Sequence, residues 1–367
     1  MDEIQTKQNR LSQFLDRHHL DGVILWQRNN FAWITGGCDN HVVNATPVGF
    51  AAIYATRDSR TCLTTTIEAP RFRQEELVGR GIDVVDFPWW DRAASQKIVR
   101  DLIGSKKVAT DSDELGMGLP SLPGDFAELR WSLLPDEIAR YRDGAKRAAM
   151  AMEKACRQLK PGMTEFEAAG LLDHCIRDIG GKPTVNLIAA DERAQKFRHA
   201  IPTATKIKKH VMLVICSDVA GLIANLTRWV HFGPLSDELK KKQQAIANID
   251  TAANLLTRPG RTLGEIFKDI QAAYARENWP DQWKLHHQGG STGYAGREVV
   301  ATPDSAVKVV DNQAFAWNPS IVGAKCEDTV LLTNGRHEVL TAHSKDWPAI
   351  TGRFNDETLA RADILVL

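Results

Sequence analysis

The chain has 367 residues, with 46 basic and 46 acidic side chains and a formal net charge of zero. This length exceeds a typical single hydrophobic core, so we expect two domains, each large enough to fold by itself. The balanced charge excludes a global attraction to nucleic acid or to an anionic membrane, and small molecules or proteins are the expected partners.

The chain shows no sign of membrane insertion or export. No apolar run approaches the roughly 18 residues of a membrane span. The opening residues MDEIQTKQNR are polar and lack the apolar core of a signal peptide. The six cysteines are scattered and form no CxxC pair, which excludes a zinc knuckle and a disulfide framework. We therefore expect a cytoplasmic protein with free thiols.

The first third of the chain alternates helical and strand patterns. Leu11, Phe14 and Leu15 have helical spacing, and the run GVILW (Gly22 to Trp26) predicts a buried strand. Further strands are predicted at 50–54 and 84–87, and further helical stretches at 75–78 and 93–102. An α/β layer follows. After the Pro- and Gly-containing run LGMGLPSLPGD, we place a domain boundary between residues 135 and 136.

An internal repeat organises the second part of the chain. The segment KPGMTEFE (Lys160 to Glu167) recurs as RPGRTLGE (Arg258 to Glu265). In both copies a predicted helix ends at Pro-Gly. Each copy then carries the capping-box pattern that starts a new helix, Thr164 with Glu167 and Thr262 with Glu265. Two such copies predict a pseudo-twofold α+β domain.

Three segments carry a family resemblance: MLVICSDVAGLIANLTRWVHFG from Met212, HHQGG from His286 and FAWNPSIVGAKCEDTVLLT from Phe315. They resemble the metal-cage segments of the pita-bread hydrolases, the family of methionine aminopeptidase, prolidase, aminopeptidase P and creatinase. The segment NNFAWITGG from Asn29 resembles a motif of the creatinase and prolidase amino-terminal domain. The resemblance implies an α/β creatinase-like amino-terminal domain (1–135) and a pita-bread carboxy-terminal domain (136–367).

The resemblance also identifies positions of metal ligands. His287 matches the metal histidine and Glu327 the final metal glutamate, whereas the family's second histidine is replaced by Tyr294. The other three ligand positions, which are acidic in the family, fall at uncharged residues: Ser217, Asn225 and Asn318. The Thr-Arg pair that follows Asn225 anchors this alignment.

The uncharged positions predict that the family's metal centre is absent. A dinuclear centre needs bridging carboxylates to offset the cost of bringing two dehydrated cations together. One histidine and one glutamate cannot do this, and a single zinc ion would need Ser217 or Asp218 as a further ligand. We therefore expect no cofactor, with Mn, Co or Zn required only by a metallohydrolase alternative.

Creatinase shows what such a site implies, because it hydrolyses a C–N bond on this scaffold without metal. His199 matches the family histidine beside the substrate and is the predicted general acid/base, with His287 and Glu327 as further catalytic residues. The predicted substrate-binding residues are Ser217, Asn225, Tyr294, Arg297 and Asn318. An internal ion pair between Glu327 and Lys325 is the plainer alternative for that glutamate.

Three functions remain open from the sequence. The first is a metal-independent, creatinase-like hydrolase of an amide or other C–N bond in a small polar substrate. The second is an Xaa-Pro dipeptidase or aminopeptidase with atypical metal ligands. The third is a pseudoenzyme that binds a small molecule or a partner without turnover. For all three, the resemblance implies a homodimer.

Overall fold

A computed structural model describes residues 2–367. The chain forms two units, which are considered separately. The first contains the residues up to Arg130 together with Leu134–Glu137, and the second contains Trp131–Leu133 and Ile138–Leu367. The predicted boundary between residues 135 and 136 falls inside the stretch where the chain alternates between the units.

The first unit is an α/β layer built on one mixed sheet of five strands. The strands are β1 (Gly22–Gln27), β2 (Val48–Thr56), β3 (Arg60–Thr65), β4 (Asp83–Phe87) and β5 (Val108–Thr110). Their order across the sheet is β4-β3-β2-β1-β5, with β1 antiparallel to β2 and parallel to β5. The helices are α1 (Glu3–Arg17), α2 (Arg28–Thr35), α3 (Ala69–Arg71) and α4 (Arg92–Ile103), with a π-helical turn at Phe72–Glu76 and a 3-10 helix at Gly124–Arg130.

The predicted start of this unit is confirmed. Helix α1 begins after Asp2, whose carboxylate accepts the backbone N–H of Gln5 at 2.7 Å and so satisfies a free donor of the first turn. Leu11, Phe14 and Leu15 are fully buried, as their helical spacing predicts. The GVILW run lies in β1, where five consecutive residues are buried, as expected for a strand inside a sheet.

The second unit combines helices with antiparallel sheets. Its helices are α5 (Pro135–Gln158), α6 (Glu165–Asp178), α7 (Glu192–Lys196), α8 (Asp237–Leu256) and α9 (Leu263–Arg276), with a 3-10 helix at Gln282–Leu285. Helices α8 and α9 supply much of one apolar core, which also takes in Phe315 and Trp317. Within residues 2–367, no helix combines the length and the apolar character needed to cross a bilayer.

Thirteen strands complete the second unit. They are β6 (Lys182–Ala190), β7 (His210–Val219), β8 (Leu222–His231), β9 (Gly289–Thr292), β10 (Val299–Val300), β11 (Gln313–Trp317), β12 (Ser320–Ile321), β13 (Ala324–Lys325), β14 (Val330–Thr333), β15 (Arg336–Val339), β16 (Ala349–Phe354), β17 (Glu357–Ala362) and β18 (Leu365–Val366). The two larger sheets have the orders β18-β8-β7-β6 and β10-β9-β11-β14-β15. Two-stranded sheets β12-β13 and β16-β17 accompany them.

The predicted internal repeat is visible in the second unit. Helices α6 and α9 both start with a complete capping box, in which the threonine hydroxyl and the glutamate carboxylate each bond the other residue's backbone N–H. The capping threonines also form equivalent antiparallel bridges, Thr164 with Lys206 and Thr262 with Lys308. In each half of this unit, the first turn of a helix is therefore bonded to an extended segment in the same way.

A tight hairpin joins β7 to β8. Ala220 and Gly221 form its turn with φ angles of 52° and 82°, and Val219 pairs directly with Leu222. A two-residue turn with positive φ at both positions matches the right-handed twist of the strands and fixes their register. Cys216 consequently lies opposite Asn225, whereas Ser217 lies opposite Ala224 and points to the other face of the sheet.

The capping boxes give a testable measure of the repeat. We expect Thr164→Ala and Thr262→Ala each to destabilise the fold by about 1 kcal/mol, because one backbone donor of the first turn loses its partner. Such a loss lowers the thermal midpoint by about 2–4 °C in a domain of this size. Circular dichroism of each variant checks the shift.

Thr358→Ala is the matched control for these variants, because Thr358 is an exposed residue of β17 and caps no helix. Its midpoint is expected to stay close to that of the wild type. Equal shifts in all three variants would show that loss of the two capping hydrogen bonds does not cause the destabilisation.

Candidate functional site

A cavity of about 630 Å³ opens in the second unit. Strand β6, strand β7 and the connections around β9 and β13 contribute its walls. Its lining residues are Thr184, Val185, Asn186, Leu187, His199, Ile201, Val214, Cys216, His287, Gly296, Arg297, Asn318, Lys325 and Glu327. Five of the eight predicted site residues therefore line one pocket: His199, His287, Arg297, Asn318 and Glu327.

Three histidines converge at this pocket, and we call them the histidine cluster: His199, His286 and His287. His199 lies in the connection after α7, and the other two lie between the 3-10 helix at Gln282–Leu285 and β9. The Nε2 atoms of His199 and His286 are 3.0 Å apart, which is a hydrogen-bond distance. A set of one ligand nitrogen from each ring fits within mutual distances of 4.8 Å.

The histidine cluster is uncharged at neutral pH. Burial, reinforced by the positive charge of Lys325, lowers the pKa of His286 to about 2. Burial and the positive charge of Arg297 lower the pKa of His287 to about 4. Partial burial also lowers the pKa of His199 below 6.5, and Lys325 adds to the effect. Neutral imidazoles can accept a proton or bind a metal ion.

Glu327 is the centre of a buried group of charges, which we call the Glu327 ion cluster. Lys325 Nζ donates to Oε2 at 2.7 Å, and Arg297 Nη2 donates to Oε1 at 2.8 Å. The hydroxyl of Thr227 also donates to Oε2, at 2.8 Å. Burial by itself would raise the pKa of the Glu327 carboxyl, but the two cations hold it well below its usual value. Glu327 is therefore a permanent carboxylate, and the internal ion pair with Lys325 is confirmed.

The two asparagines provide neutral groups where the resemblance places carboxylates. Asn318 lines the pocket, and its Oδ1 is buried without a hydrogen-bond partner among residues 2–367. Asn225 is fully buried and lies behind the pocket wall, where its Nδ2 donates to Thr292 Oγ1 at 2.9 Å. Gly296 lines the pocket and lies close to Asn225, since a Cβ built on this glycine would be 3.9 Å from Asn225 Oδ1.

Like Asn225, two further predicted substrate-binding residues do not line the pocket. Ser217 points to the opposite side of β7, where its hydroxyl would lie 2.9 Å from a Cβ built on Gly181. Cys216 takes the pocket-facing position in its place, because successive strand residues alternate between faces. Tyr294 is buried, and its hydroxyl accepts a hydrogen bond from Arg140 Nη2 at 3.0 Å. The substrate-binding roles predicted for Ser217 and Tyr294 thus lack direct access to the pocket.

Sequence reasoning missed several residues of the site. His286 was passed over although it directly precedes His287, and only the fold shows that both rings join His199. The pocket role of Lys325 was also missed, because the sequence indicated only an internal ion pair between this lysine and Glu327. The apolar wall formed by Val185, Leu187 and Val214 carries no motif at all. Periodicity could indicate only that these residues are buried strand positions.

Comparison with known proteins identifies the architecture. The model of metallopeptidase family M24 matches residues 139–334, and the model of the creatinase/prolidase N-terminal domain matches residues 7–139. An uncharacterized peptidase of Staphylococcus aureus is 25% identical over 222 residues, which cover 57% of this chain and 62% of that protein. The matched part of the chain therefore spans less than two thirds of this relative.

Solved structures share the fold at low sequence identity. The Xaa-Pro dipeptidase from Bacillus anthracis has a TM-score of 0.77 at 16% identity, covering 99% of this chain and 100% of that one. The N-terminal domain of the FACT complex subunit SPT16 from chickpea (Cicer arietinum) has a TM-score of 0.69 at 14% identity, covering 93% and 97%. These matches confirm the predicted combination of a creatinase-like amino-terminal domain and a pita-bread domain.

The expectation that the protein uses no cofactor is wrong. The matched family is one of metallopeptidases, and the histidine cluster brings together three neutral nitrogen ligands that the sequence did not reveal as a group. The carboxylate cage for two ions does not fit this chain, because Asn225 and Asn318 are neutral and Glu327 already binds Lys325 and Arg297. His199, His286 and His287 fit one ion, since three imidazoles suit a borderline divalent metal such as zinc.

Metal titration tests this ligand set. We expect the protein, after incubation with Zn²⁺ or Co²⁺ and dialysis, to retain about one ion per chain, because the cluster offers one set of three ligands. His286→Ala and His287→Ala should each lose the ion, since two imidazoles hold it poorly. Elemental analysis gives the stoichiometry, and the visible spectrum of the Co²⁺ form reports the coordination.

His174→Ala is the control, because the His174 side chain is exposed on helix α6 and pairs with Asp178. It should bind the ion as the wild type does. Two ions per chain, or unchanged binding in the His286 and His287 variants, would contradict this ligand set.

Proposed function

Because the chain belongs to metallopeptidase family M24, we propose that it hydrolyses an amide or other C–N bond in a small polar substrate or short peptide. The observation that carries the proposal is the juxtaposition of the histidine cluster with Arg297 and Lys325 around one cavity. Neutral bases and fixed cations facing the same space are the groups that amide hydrolysis uses. The Xaa-Pro dipeptidase named among the structural neighbours supports a peptide-like substrate.

His199 is the proposed proton carrier of the ion-free site. It lines the pocket and remains neutral at pH 7, so it can take a proton from an attacking water molecule. Water then adds to the carbonyl carbon, and the C–N bond breaks as the imidazolium returns the proton to the leaving nitrogen. The hydrogen bond between Nε2 of His199 and Nε2 of His286 holds the orientation of the His199 ring, and His199 must be its donor if Nδ1 is to take the proton.

An ion held by the histidine cluster would supply Lewis-acid polarisation of the scissile carbonyl. In that state the three imidazoles would be its ligands. In the ion-free site the N–H of Gly289 donates to Nδ1 of His287 at 3.2 Å and orients the ring, whereas a metal ligand donates its second ring N–H, so an ion would replace this hydrogen bond.

Glu327 is proposed as a positioning residue. Both of its carboxylate oxygens already accept hydrogen bonds, and its pKa is far too low for proton transfer near neutrality. It holds Lys325 and Arg297 at the pocket wall. Asn318 is proposed as a substrate contact, because its unpaired Oδ1 can accept an N–H of a bound amide.

Ligand binding without turnover is the second candidate function. The replacement of carboxylates by Asn225 and Asn318, with Glu327 neutralised by two cations, favours it, because these changes remove the acidic groups of the family cage. The same fold also occurs in the N-terminal domain of a FACT complex subunit. The homodimer and the cytoplasmic location implied earlier stay predictions.

A substrate panel with a His199 variant tests the proposed hydrolysis. We expect the wild type to release amine from at least one member of a panel of N-acyl amino acids, Xaa-Pro dipeptides and guanidino acids. His199→Ala should lower kcat by about 10²–10⁴-fold, because it removes the proton carrier or one metal ligand. Fluorogenic detection of the released amine measures both rates.

Chelation assigns the role of His199. If activity persists after chelator treatment and is lost in His199→Ala alone, the residue transfers protons. If activity requires added Zn²⁺ and falls equally in the alanine variants of His199, His286 and His287, it is a ligand. No turnover of any panel member, with bound ligand detected by calorimetry, would reject hydrolysis in favour of the binding function.

A further inference from the structure

Glu165 is a fully buried acid in the first turn of helix α6. Acidic side chains are almost never fully buried unless their oxygens have partners. The internal repeat shows that a helix start of this kind does not need the acid, because Leu263 follows the capping threonine of helix α9 and is buried in an apolar core. Both helices nevertheless have complete capping boxes. The carboxylate of Glu165 is therefore needed for contacts outside the helix start.

The Glu165 carboxylate joins the two ends of the segment that carries His199. Its Oε1 accepts the backbone N–H of Ala190 at 2.8 Å, and its Oε2 accepts the backbone N–H of Thr203 at 2.9 Å. The hydroxyl of Thr203 also donates to Oε2, at 2.8 Å. We call the residues between these two ends, 191–202, the His199 loop. A single side chain thus closes this loop at its base.

Packing by itself holds the His199 loop weakly. Ala194 and Ala200 are the two residues of the loop that are buried, whereas Phe197 and Ile201 are 47% and 67% exposed. Two methyl side chains remove little apolar surface from water. Hydrogen bonds from backbone N–H groups to a carboxylate are stronger than those between neutral groups. The conformation of the loop therefore depends on the bonds to Glu165.

At its far end, the His199 loop contacts the segment that carries the other two histidines. Arg198 Nη2 donates to Gln282 Oε1 at 2.8 Å, and Gln282 begins the 3-10 helix that precedes His286. The Nε2 atoms of His199 and His286 are 3.0 Å apart. The loop therefore spans from the Glu165 carboxylate to the histidine cluster, and a change at its base would move the His199 ring.

We propose that Glu165 is a positioning residue for His199, because its carboxylate fixes the base of the His199 loop and thereby holds the imidazole against His286 at the pocket. The inference deepens the proposed function, on which it rests for the role of His199 in the reaction. Glu165 lies outside the set of residues that line the cavity. Its effect on the reaction therefore passes through the loop and the His199 ring.

Chemical modification of His199 tests the proposal without a substrate. Diethyl pyrocarbonate acylates neutral imidazoles, and peptide mass spectrometry measures the rate at each histidine. Glu165→Gln keeps one acceptor oxygen but turns an N–H donor toward the second loop end, which opens the loop base. In chelator-treated, dialysed protein, we expect His199 to react about tenfold faster than in the wild type, as for the loss of hydrogen bonds to a charged group. The exposed His174 of helix α6 is the internal reference and should keep its rate.

Glu167→Gln is the matched control, because Glu167 lies in the same helical turn and its carboxylate accepts hydrogen bonds from Thr164. It should lower the thermal midpoint and leave the rate at His199 unchanged. If Glu165→Gln likewise lowers only the thermal midpoint, the role of Glu165 is purely structural and the proposal is overturned.

Thr203→Val is the milder variant, and it decides the question if Glu165→Gln does not fold. It removes the hydroxyl that donates to Glu165 Oε2 and keeps the backbone N–H of the same residue. We expect the rate at His199 to rise about twofold, because one of the bonds at the loop base is lost. An unchanged rate in a folded Thr203→Val protein would overturn the proposal.

A double-mutant cycle relates Glu165 to turnover. On a substrate that the wild type cleaves, we expect Glu165→Gln to lower kcat by about 10–100-fold, because the proton carrier or ligand His199 is displaced. In a His199→Ala background, the same substitution should lower kcat no further, because its effect passes through the ring that has been removed. An equal loss in both backgrounds would show a general effect on the fold and would overturn the proposal.

The proposal and the proposed hydrolysis can fail independently. If no substrate is cleaved, the hydrolysis is rejected, while the modification rate at His199 still decides whether Glu165 positions the ring. If the wild type cleaves a substrate and Glu165→Gln changes neither kcat nor the rate at His199, the hydrolysis stands and the positioning role is rejected.

Discussion

The buried carboxylate of Glu327 ties three segments of the second unit together at the pocket wall. A charged group that is 2% exposed must find partners, because the cost of removing it from water is several kcal/mol. Lys325, Arg297 and Thr227 supply those partners from three parts of the chain. The connection after β13, the loop before β10 and strand β8 are thus held to one another at the pocket wall. Loss of the carboxylate would leave two buried cations facing each other, at a cost of about 3–5 kcal/mol.

This arrangement also sets the properties of the histidine cluster. The positive charges of Lys325 and Arg297 add to burial in keeping the imidazoles neutral, so each ring has one unprotonated nitrogen at pH 7. The same charges oppose the entry of two divalent ions. Where the resemblance places the carboxylates of a metal cage, this chain has neutral residues, and nitrogen donors and fixed cations lie nearby. The ligand set proposed for this site, three imidazoles, would hold one ion.

Much of the fold could be predicted because it depends on local patterns. Pro-Gly followed by a Thr and Glu three residues apart predicted the starts of α6 and α9, and both capping boxes formed. His199, His287 and Glu327 were found because each lies in a quoted motif, and the pocket does bring them together. The family match confirms the architecture that these motifs implied.

The remaining parts of the site depend on contacts that motif spacing does not encode. The alignment assigned Ser217 rather than Cys216 to the pocket, because counting residues does not show which face a strand presents. His286 joined the cluster through the turn before β9, where two adjacent rings meet a third from a distant loop. Lys325 became informative only when its ammonium was seen to share Glu327 with Arg297.

The tight turn at Ala220 and Gly221 limits how the chemistry of this pocket could change during evolution. This two-residue turn fixes the strand register, so Cys216 lies opposite Asn225. Substitution of Cys216 by an acidic residue would bring a carboxylate to the pocket. The same substitution at Ser217 would bury an unpaired charge against Ile176 and Gly181. An acidic side chain at position 216 could therefore reach the pocket, whereas one at position 217 could not, although the two residues are adjacent in the chain.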